Sequence, residues 1–288
     1  MLPNRLILFE GLPGTGKSTL SQKTYELLTS HGIPATCYNE GQLHPADLSW
    51  CACVPLSDLP SFFKNYPAYE TTIKEHMSIE SDYAVIPYLE LGIKPEDGTL
   101  LDLLASYEIY DGRKSTEFFK QKHYDRWKHF GIDAVQNENH YIFECTLLQN
   151  HINELLLFHN QTDQEITLHI LHLIELVKDL NPVLIYLNPT NIAATTKAAS
   201  KERSSSSGVP EWEHRVCDWL EHSPYGKLHS LTGYPGLLTY LKTRKDLEEH
   251  IMHTLPIPCY LLYNDTHDWS QIAEKIEKIL IPKPRKQA

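Results

Sequence analysis

Lys17 and Ser18 close the run Gly11-Leu-Pro-Gly-Thr-Gly-Lys-Ser-Thr19, whose spacing is Gly-x-x-x-x-Gly-Lys-Ser. Glycines let the backbone bend so that successive N–H groups point into one concavity, where they and the N-terminus of a following helix hold a polyphosphate. A lysine at this spacing reaches the β- and γ-phosphates, and the serine hydroxyl ligates Mg²⁺. Gly11, Leu12, Pro13, Gly14, Thr15, Gly16, Lys17, Ser18 and Thr19 therefore form the expected phosphate cradle. A chance glycine turn or a purely structural loop is the bland alternative. Context argues against both, because Arg5-Leu-Ile-Leu-Phe-Glu10 reads as a strand before the loop and Leu20 resumes apolar helical spacing after it.

Other groups can complete such a site. Glu144 ends the apolar run His140-Tyr-Ile-Phe-Glu144 and is expected to hold Mg²⁺ or its water shell; capping the next helix is the other option. Glu40 follows a second short strand and is the candidate general base for an acceptor hydroxyl, or else a solvated turn residue. Lys197, Lys201 and Arg203 stand beside the low-complexity run Ser204–Gly208 and suggest a lid, with Arg203 as its catalytic cation. Such an arginine is worth roughly a thousandfold or more in rate; a merely soluble helix face is the alternative. Asn264, after the last strand, is expected to meet the nucleotide base, although turns favour asparagine without a ligand. Arg215 and Arg244 are weaker lid or substrate candidates. His169 and His172, three apart in an apolar helical run, are read as structural.

The elements that must position these groups alternate. Strands at the start, at 33–38, 140–144, 183–187 and 258–263 are separated by helical stretches at 17–30, 147–157, 166–180, 212–220, 237–255 and 269–280. Five such strands imply a mostly parallel sheet covered on both faces, with ligands at the carboxyl ends of the strands. The expected fold is α/β: a three-layer α/β/α P-loop NTPase, one domain over residues 1–288, with a helical substrate-binding insert at 46–136 and a lid region at 195–235. The insert carries Tyr66, Tyr69, Tyr83, Tyr88, Tyr107, Tyr110 and Tyr124, which either stack a planar substrate or pack the insert itself. Arg113, Lys114, Lys120, Lys122 and Arg126 either line the cleft or solvate it.

Composition narrows the classes. At 288 residues with 41% hydrophobic and 22% charged side chains, the chain can bury a real core, which excludes disordered and fibrous classes. A formal net charge of −11 argues against general nucleic-acid binding, which needs surplus Lys and Arg. The six cysteines are scattered, and Cys51-x-Cys53 lacks the two-residue gap of common zinc or redox motifs, so reduced thiols are expected. No apolar stretch has the length of a membrane span and no leader precedes the first strand, so the chain is expected in the cytoplasm without a membrane partner.

Phe9-Glu10-Gly11-Leu-Pro-Gly-Thr-Gly-Lys-Ser-Thr19 resembles the opening of thymidylate and deoxynucleoside kinases. Glu40 ahead of Trp50 is similar to the catalytic glutamate of deoxynucleoside kinases, and Phe143-Glu144 to their Glu-Arg pair. Three positions depart: Cys145 stands where an arginine is expected, Pro13 where thymidylate kinases carry an aspartate, and the lid has one clear arginine. The resemblance is specific for the first twenty residues and does not reach the insert. It implies a phosphotransferase moving the γ-phosphoryl group of ATP, with Mg²⁺, to a small-molecule acceptor; a homodimer is compatible with it. The alternative is a nucleotide-dependent regulatory ATPase or switch whose insert binds a protein partner.

Overall fold

A computed structural model of the chain describes residues 3–39, 43–204, 209–264 and 268–281. Two compact units are resolved within it, Met1–Asn39 with Lys128–Ala288, and Glu40–Trp127. In chain order the first unit opens with β1 (Leu6–Gly11), α1 (Lys17–Ser30) and β2 (Ala35–Tyr38). The second holds β3 (Cys51–Pro55), α2 (Leu59–Asn65), α3 (Glu70–His76), β4 (Ser78–Glu80), β5 (Tyr83–Pro87) and α4 (Gly98–Ser106). The unit boundary divides α5 (Thr116–Val135) after Trp127. The first unit then continues with β6 (His140–Glu144), α6 (Gln149–Ile152) with a π-helical stretch at Asn153–Phe158, α7 (Asp163–Leu176), β7 (Val183–Leu187) and α8 (Ile192–Glu202). It closes with α9 (Glu211–His222), α10 (Pro224–Leu228), α11 (Gly233–Thr254), β8 (Cys259–Leu262) and α12 (Trp269–Leu280).

The first unit is an α/β sandwich around a five-stranded sheet ordered β2-β6-β1-β7-β8, parallel at every pairing. β1 is central and buried at every residue, which is why it reads as an unbroken apolar run instead of an alternating one. Its register pairs Phe9 with Glu144 on one side and Glu10 with Tyr186 on the other. The carboxyl ends of β1, β6 and β7 therefore finish at one edge, and the glycine loop leaves from the middle of that edge.

Alternation along β1 assigns the two faces. Ile7 and Phe9 pack with Leu20 and Leu28 of α1 and with Ile272, Ile276 and Leu280 of α12. Those three α12 residues recur every fourth position and are buried, each contributing about 1.5–3 kcal/mol of burial energy. On the opposite face Tyr186 reaches α11 through a hydrogen bond from its hydroxyl to Glu248. Helices thus cover both sides, giving three layers.

The second unit corrects the expectation of a purely helical insert. Alongside α2, α3 and α4 it contains a three-stranded antiparallel sheet ordered β3-β5-β4, with Cys51 opposite Pro87 and Pro55 opposite Tyr83. The strands span three to five residues, too short for a period to emerge. Pro55 and Pro87, which read as helix punctuation, sit instead at strand ends, where a missing N–H breaks no interior ladder. Among the described residues no helix is long and apolar enough to cross a membrane.

Candidate nucleotide-binding site

The loop between β1 and α1 is held by its own side chains. Thr15 Oγ1 donates to Leu12 O at 2.8 Å, and Lys17 Nζ donates to Gly11 O at 2.9 Å and Leu12 O at 3.0 Å. Gly14 and Gly16 have φ of 81° and 90°, the left-handed region that side chains with a Cβ rarely enter. Space excludes a Cβ as well. At Gly14 it would lie 2.8 Å from Ala199 Cβ and Thr195 O of α8, and at Gly16 2.1 Å from the Trp269 ring at the start of α12. Gly16 is also the N-cap of α1 and supplies no side-chain acceptor. The first N–H groups of a 14-residue helix therefore face the loop uncapped, as an anion site requires.

Ser18, on the first turn of α1, donates to Glu144 Oε1 at 2.5 Å. Glu144 is buried at the end of β6. A hydroxyl and a carboxylate at the mouth of an amide-lined loop are hard oxygen donors of the kind Mg²⁺ takes, so the residues present suit that ion. On the same helix Ser21 Oγ donates to Asn39 Oδ1 at 3.1 Å, tying down the chain after β2. The candidate base Glu40 is the next residue and lies outside the described residues. Nearby, burial, with Glu144 adding to it, pushes the Cys37 thiol up to about 11.

Glu10, which in the sequence only ends the first strand and contributes to the resemblance, has a definite task in the structure. Its buried carboxyl accepts the backbone N–H groups of Leu147, Leu148 and Gln149 at 2.7, 2.9 and 3.1 Å. These amides lie three to five residues after Glu144, so Glu10 fixes the segment that follows that carboxylate. Burial, reinforced by Glu248, pushes the Glu10 carboxyl up to about 7. The signal in the sequence was an acidic residue inside an otherwise apolar central strand, which must find partners to be buried.

Arg244, a weaker lid or substrate candidate in the sequence, is buried on α11 beneath the loop. Nη2 donates to Gly11 O at 3.1 Å and Gln149 Oε1 at 3.4 Å, and Nη1 donates to Asn153 Oδ1 at 3.3 Å. Its Nε lies 3.0 Å from Glu248 Oε1. Tyr240 OH also donates to Asn153, at 2.6 Å, where the π-helical stretch begins. Cys145, standing where the resemblance expected an arginine, is fully buried with φ of 63°. It cannot present a cation to the cleft.

The other candidates are distributed around this centre. Lys197, Lys201 and Arg203 are exposed on or just after α8, whose other face packs on Gly14. The Arg203 guanidinium lies 5.1 Å from the ring of Trp212 on α9. Thr19 is exposed beside Ser18, and Arg215 is exposed on α9. Residues 205–208 of the serine run lie outside the described residues. Asn264 does come to the loop: it lines a small pocket with Gly14, Thr15, Leu187, Asn188, Pro189 and Thr195. Its side-chain amide and Asn188 Oδ1 are buried there without hydrogen-bond partners among the described residues. His169 is buried and pairs through Nε2 with His151 Nδ1 at 3.0 Å.

Within the second unit, carboxylates take up several of the tyrosine hydroxyls. Tyr69 donates to Asp97, Tyr88 to Glu108, Tyr107 to Asp58 and Tyr110 to Asp47. Arg113 pairs with Glu108 and Arg126 with Glu80, while Lys122 lies over the Tyr83 ring. Trp50 is 44% exposed with φ of 59°, an outlying conformation for a bulky side chain.

A central β1, a glycine loop of the Gly-x-x-x-x-Gly-Lys-Ser type opening into α1 and a carboxylate at the end of β6 together define a P-loop α/β protein. No family model matches the chain, and no curated protein matches it. Among solved structures, deoxyadenosine kinase from M. mycoides with bound dATP is similar along nearly the full length: 17% identity, TM-score 0.38, covering 96% of this chain and 98% of that one. Deoxyadenosine kinase from M. mycoides with bound dCTP gives 14% identity and TM-score 0.37, covering 95% and 98%.

Proposed function

We propose that the chain is a Mg²⁺-dependent phosphotransferase that moves the γ-phosphoryl group of ATP to a small-molecule acceptor, working in the cytoplasm. The observation that carries this reading is the hydrogen bond between Ser18 and Glu144 at the mouth of the uncapped α1 terminus. In this reading the loop amides from Gly11 to Thr19 and Lys17 hold the phosphates, and Ser18 and Glu144 hold Mg²⁺. Bound there, the ion would neutralise charge on the phosphate oxygens. Glu40 accepts the acceptor's proton, Asn264 meets the base, and Lys201 or Arg203 closes over the transferring group. The acceptor is expected to engage the 46–136 segment, which a simple NTPase would not need.

Incubation with Mg·ATP and a panel of nucleosides, nucleotides and aminoglycoside- or phenicol-type antibiotics tests the reading. Transfer to one class supports it; steady phosphate release to water with no transfer counts against it. A regulatory ATPase is the second reading, favoured by Cys145 being buried where a catalytic arginine would stand and by Arg203 lying against Trp212. It predicts slow turnover and a protein partner retained in one nucleotide state only.

A further inference from the structure

We propose that Arg244 is a positioning residue for nucleotide uptake: it keeps the Gly11 carbonyl bonded while Lys17 leaves that carbonyl for phosphate. The inference rests on the reading of the loop as a Mg·ATP site.

Lys17 Nζ donates to two backbone carbonyls, Gly11 O and Leu12 O. A lysine that reaches the β- and γ-phosphates must give up these bonds. A buried carbonyl left with no donor opposes the move, because its desolvation is then uncompensated. Each of these two carbonyls has a second donor that does not depend on Lys17. Leu12 O also accepts from Thr15 Oγ1 at 2.8 Å, and Gly11 O also accepts from Arg244 Nη2 at 3.1 Å. The loop can therefore release its lysine without stranding either oxygen.

Arg244 is suited to stay behind. It is 2% exposed, with Nε beside Glu248, Nη1 on Asn153 and Nη2 shared with Gln149. Glu248 is itself anchored by the Tyr186 hydroxyl on β7, the strand adjoining β1. The guanidinium is thus fixed from α11, β7 and the segment after β6, and Nη2 also reaches the loop. Lys17, with a flexible stem and a compact ammonium, is the partner that moves.

Calorimetry on the full chain tests this, using Glu248→Gln as the reference so that no unpaired carboxylate is left buried. Arg244→Met in that background is expected to weaken Mg·ATP binding about tenfold, roughly 1.4 kcal/mol. AMP, which lacks the phosphates that draw Lys17 away, should bind within about twofold of the reference. Arg244→Lys, which keeps a donor, should restore most of the loss. Unchanged Mg·ATP affinity in the methionine protein, or an equal loss for AMP, overturns the proposal. On the wild-type protein, the Arg244 guanidinium N–H signals in NMR should stay protected when Mg·ATP is added, and their loss overturns it whatever the variants do. If the wild-type protein takes up no Mg·ATP at all, the nucleotide reading itself fails, an outcome distinct from either of these.

Discussion

Ser18 Oγ and Glu144 Oε1 are 2.5 Å apart, joining the first turn of α1 to the last residue of β6. Sheet register produces this meeting. β6 runs parallel to β1 with Glu144 opposite Phe9, so the chain that turns through the glycine loop returns its first helical turn over the neighbouring strand's end. Glu10, one residue further along β1, then holds the amides that follow Glu144.

This pair should govern the metal dependence of nucleotide binding. Glu144→Gln is expected to weaken the Mg²⁺ contribution about 10–100-fold, the usual cost of altering a metal ligand or its hydrogen-bonded support. Binding of metal-free ATP should hold or improve, since one negative charge facing the phosphates is gone. Nucleotide affinity measured across a Mg²⁺ titration separates the two. An unaltered Mg²⁺ dependence would mean that Glu144 only caps the following segment.

Glu10 predicts an unusual slope of stability with pH. Its folded carboxyl titrates near 7, above the ordinary 4.5, because burial outweighs the three amides that favour the charged form. Between those values the folded state binds more protons than the unfolded one, so stability falls as pH rises through the window from 4.5 to 7. The effect is on the order of 1–3 kcal/mol across it. Urea midpoints of wild type and Glu10→Gln at pH 5 and 7 give the difference. The wild type should lose more than the variant on going to pH 7, and parallel changes would refute the assignment.

Most of what positions the site was legible in the chain, and the failures have physical causes. The motif and its flanking apolar run give β1, the loop and α1, and α1 spans the 17–30 stretch expected of it. β7 and α12 likewise fall on their expected bounds, one a continuous buried run and the other a strong amphipathic period. What stayed hidden depends on tertiary partners. Nothing local distinguishes Arg244 on a helix from a solvent-facing arginine; it is buried because Glu248, one turn on, and Gly11, far away in sequence, both receive it. The helix expected at 237–255 begins earlier, since α11 starts at Gly233. Gly236 is admitted there because a Cβ would come within 2.7 Å of the Leu231 backbone.

Cys145 yields a prediction against the resemblance. Installing the arginine that deoxynucleoside kinases carry there should not improve the protein. The side chain is fully buried and the backbone left-handed, so Cys145→Arg would force a guanidinium into the interior near the like-charged Arg244. We expect destabilisation of about 3 kcal/mol or more, seen as a fall of roughly 6–12 °C in Tm. A variant of unchanged Tm with faster phosphoryl transfer would show that the cleft can accept the arginine after all.

His44, in the second unit, should make the chain acid-sensitive with a sign opposite to that of Glu10. Its Nδ1 accepts the N–H groups of Ala46 and Asp47 at 3.0 and 2.9 Å, which requires an unprotonated nitrogen. Burial, assisted by Arg126 and His123 against the opposing pull of Asp47, lowers the ring to about 3 from its ordinary 6.5. Below pH 6.5 the unfolded chain gains a proton that the folded one refuses until about 3, so stability drops as pH falls through that window. Asn can accept the same amides without titrating, so His44→Asn should flatten the response. Relative to that variant, the wild type is expected to lose roughly 1–2 kcal/mol between pH 7 and 5, read from urea midpoints. Hydrogen exchange in peptides from 43–127 should localise the loss to this unit. Equal acid responses of the two proteins would mean that the ring is charged in the folded state and that its amide bonds are not what holds it.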